Sequence, residues 1–163
     1  MSQKHIQVGD QIPAATLRTM SDEGPVEVEA TEFFKGRKVV VFAVPGAFTP
    51  TCNHHLPTFV QNADAIKAKG VDEIACLAVN DPFVMGAWGR ANEAEGRVTM
   101  LADGNAELSS ALGMTFDGSG FGLGERSHRY AMIVDDGVVT ALSIEEAPGT
   151  CSVSSGEAIL EEL

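Results

Sequence analysis

The residue best placed to do chemistry is Cys52. It follows an apolar, β-branched run, Val39-Val40-Val41-Phe42-Ala43-Val44, which stops at Pro45-Gly46 and reaches the cysteine through Ala47-Phe48-Thr49-Pro50-Thr51. Residues 53 to 69 then read as a helix. Cys52 therefore stands at a helix N-terminus, just past the carboxyl end of a buried strand. The unpaired N–H groups and positive dipole end there favour an anion. For a cysteine that anion is its own thiolate, so the pKa falls and nucleophilicity at neutral pH rises. Position alone leaves a second reading open, a buried small hydrophobe, which is what most thiols are.

Pro45, Thr49 and Cys52 fit the pattern P-x-x-x-T-x-x-C, and His55-Leu56-Pro57 follows. On these residues the sequence resembles the peroxiredoxins of the redoxin (AhpC-TSA) superfamily, in particular the Prx5 (type II) subfamily. Val79-Asn80-Asp81-Pro82-Phe83-Val84-Met85, Trp88 and Val153-Ser154-Ser155 extend the likeness over nearly the whole chain from Val8; before residue 37 it is loose. The resemblance implies a thiol-dependent peroxidase that reduces hydrogen peroxide and alkyl hydroperoxides, with Cys52 as the peroxidatic cysteine. Pro45 would shape and shield the pocket, and Gly46, Phe48 and His55 would line it. The resemblance also implies a homodimer packed near the site, with Phe48 and the loop at 80–85 as contacts. No cofactor is implied.

A peroxide is an electrophile with a weak O–O bond. A thiolate attacks one oxygen, the other leaves as hydroxide or alkoxide, and the cysteine becomes a sulfenic acid. Such a site must hold the thiolate, orient the peroxide in line and stabilise charge on the leaving oxygen. The Thr49 hydroxyl and the N–H groups of the helix start are local donors or acceptors. The missing cation is Arg129, at the head of a strand in Arg126-Ser127-His128-Arg129-Tyr130, with Arg126 as the runner-up. From spacing alone an arginine there reads as a solvated or salt-bridged side chain; by resemblance Arg129 matches the active-site arginine.

Two further cysteines bear on how a sulfenic acid would be reduced. Cys76 lies inside the apolar run Ile74-Ala75-Cys76-Leu77-Ala78-Val79 and reads as an inert core residue. Some type II peroxiredoxins carry a second cysteine there. Cys151 lies in the turn-rich segment Ala147-Pro148-Gly149-Thr150-Cys151-Ser152, an exposed, mobile setting that suits a resolving thiol. If neither resolves Cys52, an external thiol must: glutathione with glutaredoxin, or thioredoxin. The absence of Cys-x-x-Cys argues that the chain is not itself the dithiol reductant.

Several other readings are weaker. Cys52-Asn53-His54-His55 hints at a metal, but adjacent histidines on a helix point about 100° apart and no second ligand cluster follows. The alternating glycines of 117–124 lack the Lys-Ser/Thr partner of a phosphate cradle and read as a flexible loop. A cysteine hydrolase using Cys52 with His128 or His55 lacks an orienting carboxylate. A peroxide-sensing interaction protein that passes oxidation to a partner remains the alternative.

The elements that must position these residues are legible in order. Residues 16–20 and 26–28 alternate around a turn and read as a hairpin, and Thr31 to Phe34 as a helical turn; together residues 1–37 form an N-terminal extension. Lys38 to Val44 and Ile74 to Val79 read as buried strands. Thr49 or Thr51 can cap the helix at 53–69, in which Pro57 predicts a kink. Asp81-Pro82 starts a helix running to about Glu95. Val98 to Leu101 is a third strand, and 105–112 a short helix. Arg129 to Val134 and Val138 to Leu142 flank Asp135-Asp136-Gly137 as a hairpin. Ser154 to Glu157 is a capping box for a last helix. The order βαβ, α, β, α, ββα predicts an α/β chain of thioredoxin-like fold, a central mixed sheet flanked by helices with an N-terminal β-hairpin, over one domain, 1–163.

Composition agrees. The 163 residues are 44% hydrophobic and 21% charged, with a net charge of −12. That charge argues against nucleic-acid or anionic-membrane partners. No apolar run approaches a membrane span and the first residues lack a signal-peptide core. Three cysteines, an odd number, point to a reducing, cytoplasmic setting.

Overall fold

The computed structural model describes residues 5–147 and 149–163; at Cys52 and Asn53 it describes the backbone and not the side chains. The strands are β1 (Thr16–Ser21), β2 (Gly24–Glu29), β3 (Lys38–Val44), β4 (Glu73–Ala78), β5 (Thr99–Ala102), β6 (Thr115–Asp117), β7 (Glu125–Ser127), β8 (Tyr130–Asp135) and β9 (Val138–Ile144). The helices are α1 (Ala30–Phe34), α2 (Cys52–Ala68), α3 (Pro82–Ala91), α4 (Glu107–Ala111) and α5 (Gly156–Glu162).

Seven strands form one sheet in the order β2-β1-β5-β4-β3-β8-β9. Its centre is parallel, β3 with β4 and β4 with β5. Its flanks are antiparallel: β8 on β3, β9 on β8, and the β1–β2 hairpin on β5 through Arg18 and Ala102. Alternate residues of β3 face opposite ways. Val40, Phe42 and Val44 pack with Leu56, Phe59 and Ile66 of α2, Trp88 of α3 and Ile159 of α5. Val39, Val41 and Ala43 pack with Leu17, Phe34, Leu108, Tyr130 and Met132 on the other face. Both faces being covered, the strand is apolar throughout, and its alternation is hidden in the sequence. Phe42 and Phe59 stack at 3.9 Å and lock α2 onto β3. Burying two such rings contributes several kcal/mol, since truncating one buried Phe costs about 3–5 kcal/mol.

The register brings the site together. Pairing of Ala43 with Tyr130 puts the head of β8 beside the end of β3, where the loop to α2 begins. The β8–β9 turn is two residues, Asp136 (φ 49°) and Gly137 (φ 82°), the positive-φ pair that matches the twist of a tight hairpin.

Four local expectations need correction. Neither Thr49 nor Thr51 caps α2: Thr51 is the N-cap residue but makes no side-chain cap bond, and its hydroxyl donates to the Gly149 carbonyl at 3.2 Å. Helix α3 stops at Ala91 rather than near Glu95. Glu93 takes the left-handed conformation (φ 56°), and the Ala94 N–H returns to the Gly89 carbonyl at 2.9 Å, a Schellman ending with Glu where Gly is usual. The cap of α5 is Ser155, which accepts from the Ala158 N–H; Ser154 is engaged elsewhere. The glycine-rich stretch is no plain loop but the tip of a two-stranded antiparallel ribbon, β6 with β7, with a 3₁₀ turn at Ser119–Phe121. Helix α2 itself continues through Pro57. Among the described residues no helix is long and apolar enough to cross a membrane.

Candidate active site

The segment from Pro45 to Thr51 is held in place by two neighbours and by a bond within itself. Asn80, at the end of the chain leaving β4, accepts from the Ala47 N–H at 2.9 Å. Arg126, in the middle of β7, donates to the Pro45 carbonyl at 3.1 Å and to the Leu123 carbonyl at 2.9 Å. Thr49 closes the turn on itself, its hydroxyl donating to the Gly46 carbonyl at 2.8 Å. That bond spends the hydroxyl hydrogen and leaves the oxygen lone pairs of Thr49 to accept. A side chain on Gly46 would meet the Arg126 guanidinium at 2.6 Å, so the close approach of Arg126 requires glycine there. Phe48 holds the left-handed conformation (φ 66°), uncommon for a bulky residue, and presents its ring 51% exposed, 6.4 Å from that of Trp88.

Cys52 is the first residue of α2. Its side chain lies outside what the structure describes, so the candidate nucleophile is located by its backbone. His55 is three residues on, which on a helix is the same face one turn along. Its neighbour His54 is exposed while His55 is fully buried, the divergence expected of adjacent helical histidines. Among the described residues no group of three or more metal-ligating side chains is assembled.

Arg129 is 2% exposed, an unusual place for a guanidinium. It donates from Nη1 to His55 Nδ1 at 2.8 Å, while His55 Nε2 lies 2.7 Å from the Ser154 carbonyl. A guanidinium can only donate and a carbonyl can only accept, so His55 must carry its proton on Nε2. Burial lowers the His55 pKa to about 4; the Ser154 carbonyl opposes that shift and the Arg129 charge adds to it. The imidazole is therefore neutral at physiological pH, and a cation sits beside it at no cost in repulsion. The same facts exclude His55 as the base of a hydrolase, whose imidazole must take up a proton. His128 stands apart, its ring against Phe116 and its carbonyl accepting from Ser127.

Cys76 is fully buried among the core side chains of β4, as expected of an inert thiol. Cys151 departs from expectation. It is half-buried rather than exposed, and burial pushes its thiol pKa up, with Arg129 acting against the rise and Glu145 adding to it.

Glu145 is the residue that sequence reasoning missed. It is 7% exposed and follows β9 directly. Its carboxylate accepts from the Ser152 and Ser154 N–H groups at 2.8 Å each, and from the Thr150, Ser152 and Ser154 hydroxyls at 3.2, 3.3 and 2.6 Å. Burial pushes its pKa up, but these bonds outweigh it and the net shift is downward. The available signal was an acid followed by hydroxyl residues at alternate positions, 150, 152 and 154.

Comparison with known proteins agrees with this geometry. The redoxin family matches residues 7–160. A chloroplastic peroxiredoxin-2E-2 of rice (Oryza sativa subsp. japonica) is 49% identical over 97% of this chain and 72% of its own. Reduced Prx3 of Vibrio vulnificus, solved in complex with hydrogen peroxide, superposes with a TM-score of 0.91 at 53% identity, covering 96% of this chain and 98% of that one. Peroxiredoxin 5 of Alvinella pompejana superposes with a TM-score of 0.85 at 38% identity over 96% of each chain. The chain thus belongs to the redoxin family as a peroxiredoxin of thioredoxin-like fold, a thiol-dependent peroxidase.

Proposed function

We propose that Cys52 is the peroxidatic cysteine of a Prx5-type enzyme and that Arg129 and Thr49 are its partners in the reaction. The observation that carries this reading is the buried guanidinium of Arg129, held on a neutral histidine one helical turn from Cys52. The helix start and the cation favour the thiolate. An incoming hydroperoxide offers its O–H to the Thr49 oxygen, which is left as an acceptor, and its O–O bond to the thiolate. The sulfur–oxygen bond forms as the O–O bond breaks heterolytically. Sulfur is oxidised by two electrons to the sulfenic acid, and the leaving hydroxide or alkoxide, stabilised by Arg129, takes a proton to become water or an alcohol. Pro45, buried, shields the pocket, and the exposed Phe48 forms its rim.

The sulfenic acid is then resolved by Cys151. Cys76 cannot serve without unpacking the core, since it is fully buried between the sheet and the helices that cover it. The Cys151 thiolate attacks the Cys52 sulfur, hydroxide leaves, and a disulfide forms. Thioredoxin, or glutathione with glutaredoxin, returns both to thiols. The exposed rings of Phe48 and Phe83, 51% and 65% accessible, support a homodimer packed over this edge.

One equivalent of hydrogen peroxide, followed by mass spectrometry, tests the scheme. The wild type should lose two hydrogen atoms as a Cys52–Cys151 disulfide; Cys151→Ser should instead give a dimedone-trapped sulfenic acid on Cys52. Oxidation at any other cysteine first would contradict it. Comparing thioredoxin- and glutaredoxin-supported turnover of the two proteins then assigns the reductant.

A further inference from the structure

A carboxylate outside the reacting groups is wired to them. Glu145 binds three residues of the segment that leads from β9 to α5, and one of them, Ser154, gives its carbonyl to His55. His55 in turn gives its only lone pair to Arg129. We propose that Glu145 is a positioning residue for the peroxidase reaction, clamping Ser154 so that its carbonyl fixes His55 as the Nε2–H tautomer that aims Arg129.

Each link is forced by chemistry. Glu145 Oε2 collects the Ser152 and Ser154 N–H groups and the Ser154 hydroxyl, which fixes the 153–154 peptide and the Ser154 side chain, so the Cα from which the Ser154 carbonyl projects cannot shift without stranding buried donors. The segment has two further anchors on α2 and its approach: the Thr51 hydroxyl on the Gly149 carbonyl, and the Gly156 N–H on the Thr58 hydroxyl at 2.9 Å. A side chain on Gly156 would run into the Thr58 carbonyl, so the backbone is seated directly on α2. With the segment seated, the Ser154 carbonyl is the acceptor that holds the proton on Nε2. If it withdraws, the proton can move to Nδ1, and an Nδ1–H faces the Arg129 Nη1 donor with no acceptor between them. Arg129 must then turn away. Cys151 rides on the same segment and reports its release, because its thiol is half-buried while the segment is seated.

This inference rests on Arg129 being the cation of the reaction, and the test separates the two. The rate of Cys52 oxidation by hydrogen peroxide, Cys151 alkylation by a maleimide, and the ¹⁵N spectrum of His55 are measured in the wild type, Glu145→Ala and Glu145→Gln. Glu145→Ala should slow oxidation about 10-fold or more, as small misplacements of a catalytic group do. It should also speed Cys151 alkylation and give His55 a mixture of tautomers. Glu145→Gln can keep an oxygen at the Oε2 position, where the two N–H groups converge, and turn its amide toward hydroxyls that can accept. It should stay within about threefold of the wild type in rate, as the loss of one weak neutral bond implies, with His55 still the Nε2–H tautomer. A second pair isolates the last link: His55→Asn, whose amide oxygen can stand where Nδ1 was, should retain more of the oxidation rate than His55→Leu. The proposal is overturned if Glu145→Ala keeps the wild-type tautomer and rate. It is equally overturned if Glu145→Gln is as impaired as Glu145→Ala, which would make the charge and not the hydrogen bonds the cause. If the wild type fails to oxidise at Cys52, the proposed catalytic roles fall, and the tautomer measurement still decides the positioning claim.

Discussion

Arg126 and Arg129 are three residues apart and both touch the candidate site, yet they are held in opposite ways. Arg126 is half-buried and spends its donors on two backbone carbonyls, those of Pro45 and Leu123. Arg129 is fully buried and donates to a side chain whose acceptor exists in only one protonation state. The first is a brace: its bonds fix the loop that leads to Cys52. The second is a charge kept out of water next to the helix start, and the proposed mechanism has it act on the anion that forms there. Low exposure makes its field stronger than that of a solvated cation, because the surrounding dielectric is low. A nearby positive charge is thus not enough to identify a catalytic one; what its donors are committed to, and how dry it is, separates the two roles.

That contrast is broken most directly at Arg129. Arg129→Met should lower the rate of Cys52 oxidation by hydrogen peroxide about 10²- to 10³-fold, the usual cost of removing one donor to a developing oxyanion, as read by stopped-flow tryptophan fluorescence from Trp88. Acid comes next in size. The folded pKa of His55 is about 4, below the ordinary histidine value of about 6.5. The unfolded chain therefore binds the extra proton first, and stability conferred by the neutral imidazole is complete above about pH 6.5. It is lost as pH falls from there to about 4, amounting to about 3 kcal/mol from this residue, at 1.36 kcal/mol per unit. Urea titrations at stepped pH should show the loss, and His55→Asn should flatten it over that window. Arg126→Met should have the smallest effect. Losing a brace made of ordinary hydrogen bonds is worth about 1 kcal/mol, so roughly a fivefold slower oxidation. If Arg126→Met proves as damaging as Arg129→Met, the division into brace and charge is wrong.

The sequence and the structure agree best where a residue's type settles its place. The apolar run of β3 and the motif from Pro45 to Cys52 located the strand, the turn and the helix start; the hairpin signal at Asp135-Asp136-Gly137 paired β8 with β9, and the thioredoxin-like order of elements put β8 beside β3 with Arg129 at its head. Agreement ends where hydroxyl residues have several possible partners. Thr49, Thr51 and Ser154 all read as helix caps, because caps are their commonest local use. In the fold Thr49 closes its own turn, Thr51 reaches Gly149 and Ser154 goes to Glu145. Thr49 and Ser154 turn back to partners three and nine residues earlier, a local use that the cap reading passed over, whereas Thr51 reaches a partner 98 residues away, which no local pattern encodes. The tautomer of His55 was hidden for the same reason: it is set by partners 74 and 99 residues away. Glu93 shows the reverse case, a helix end formed without the glycine that would have announced it.

The account depends on Cys52 above all. Hydrogen peroxide consumption in the presence of dithiothreitol, followed for the wild type and for Cys52→Ser, puts that dependence to a direct test. The wild type should turn over many times per protein molecule, and Cys52→Ser should fall to the rate of dithiothreitol alone. Sustained turnover by Cys52→Ser would contradict the account.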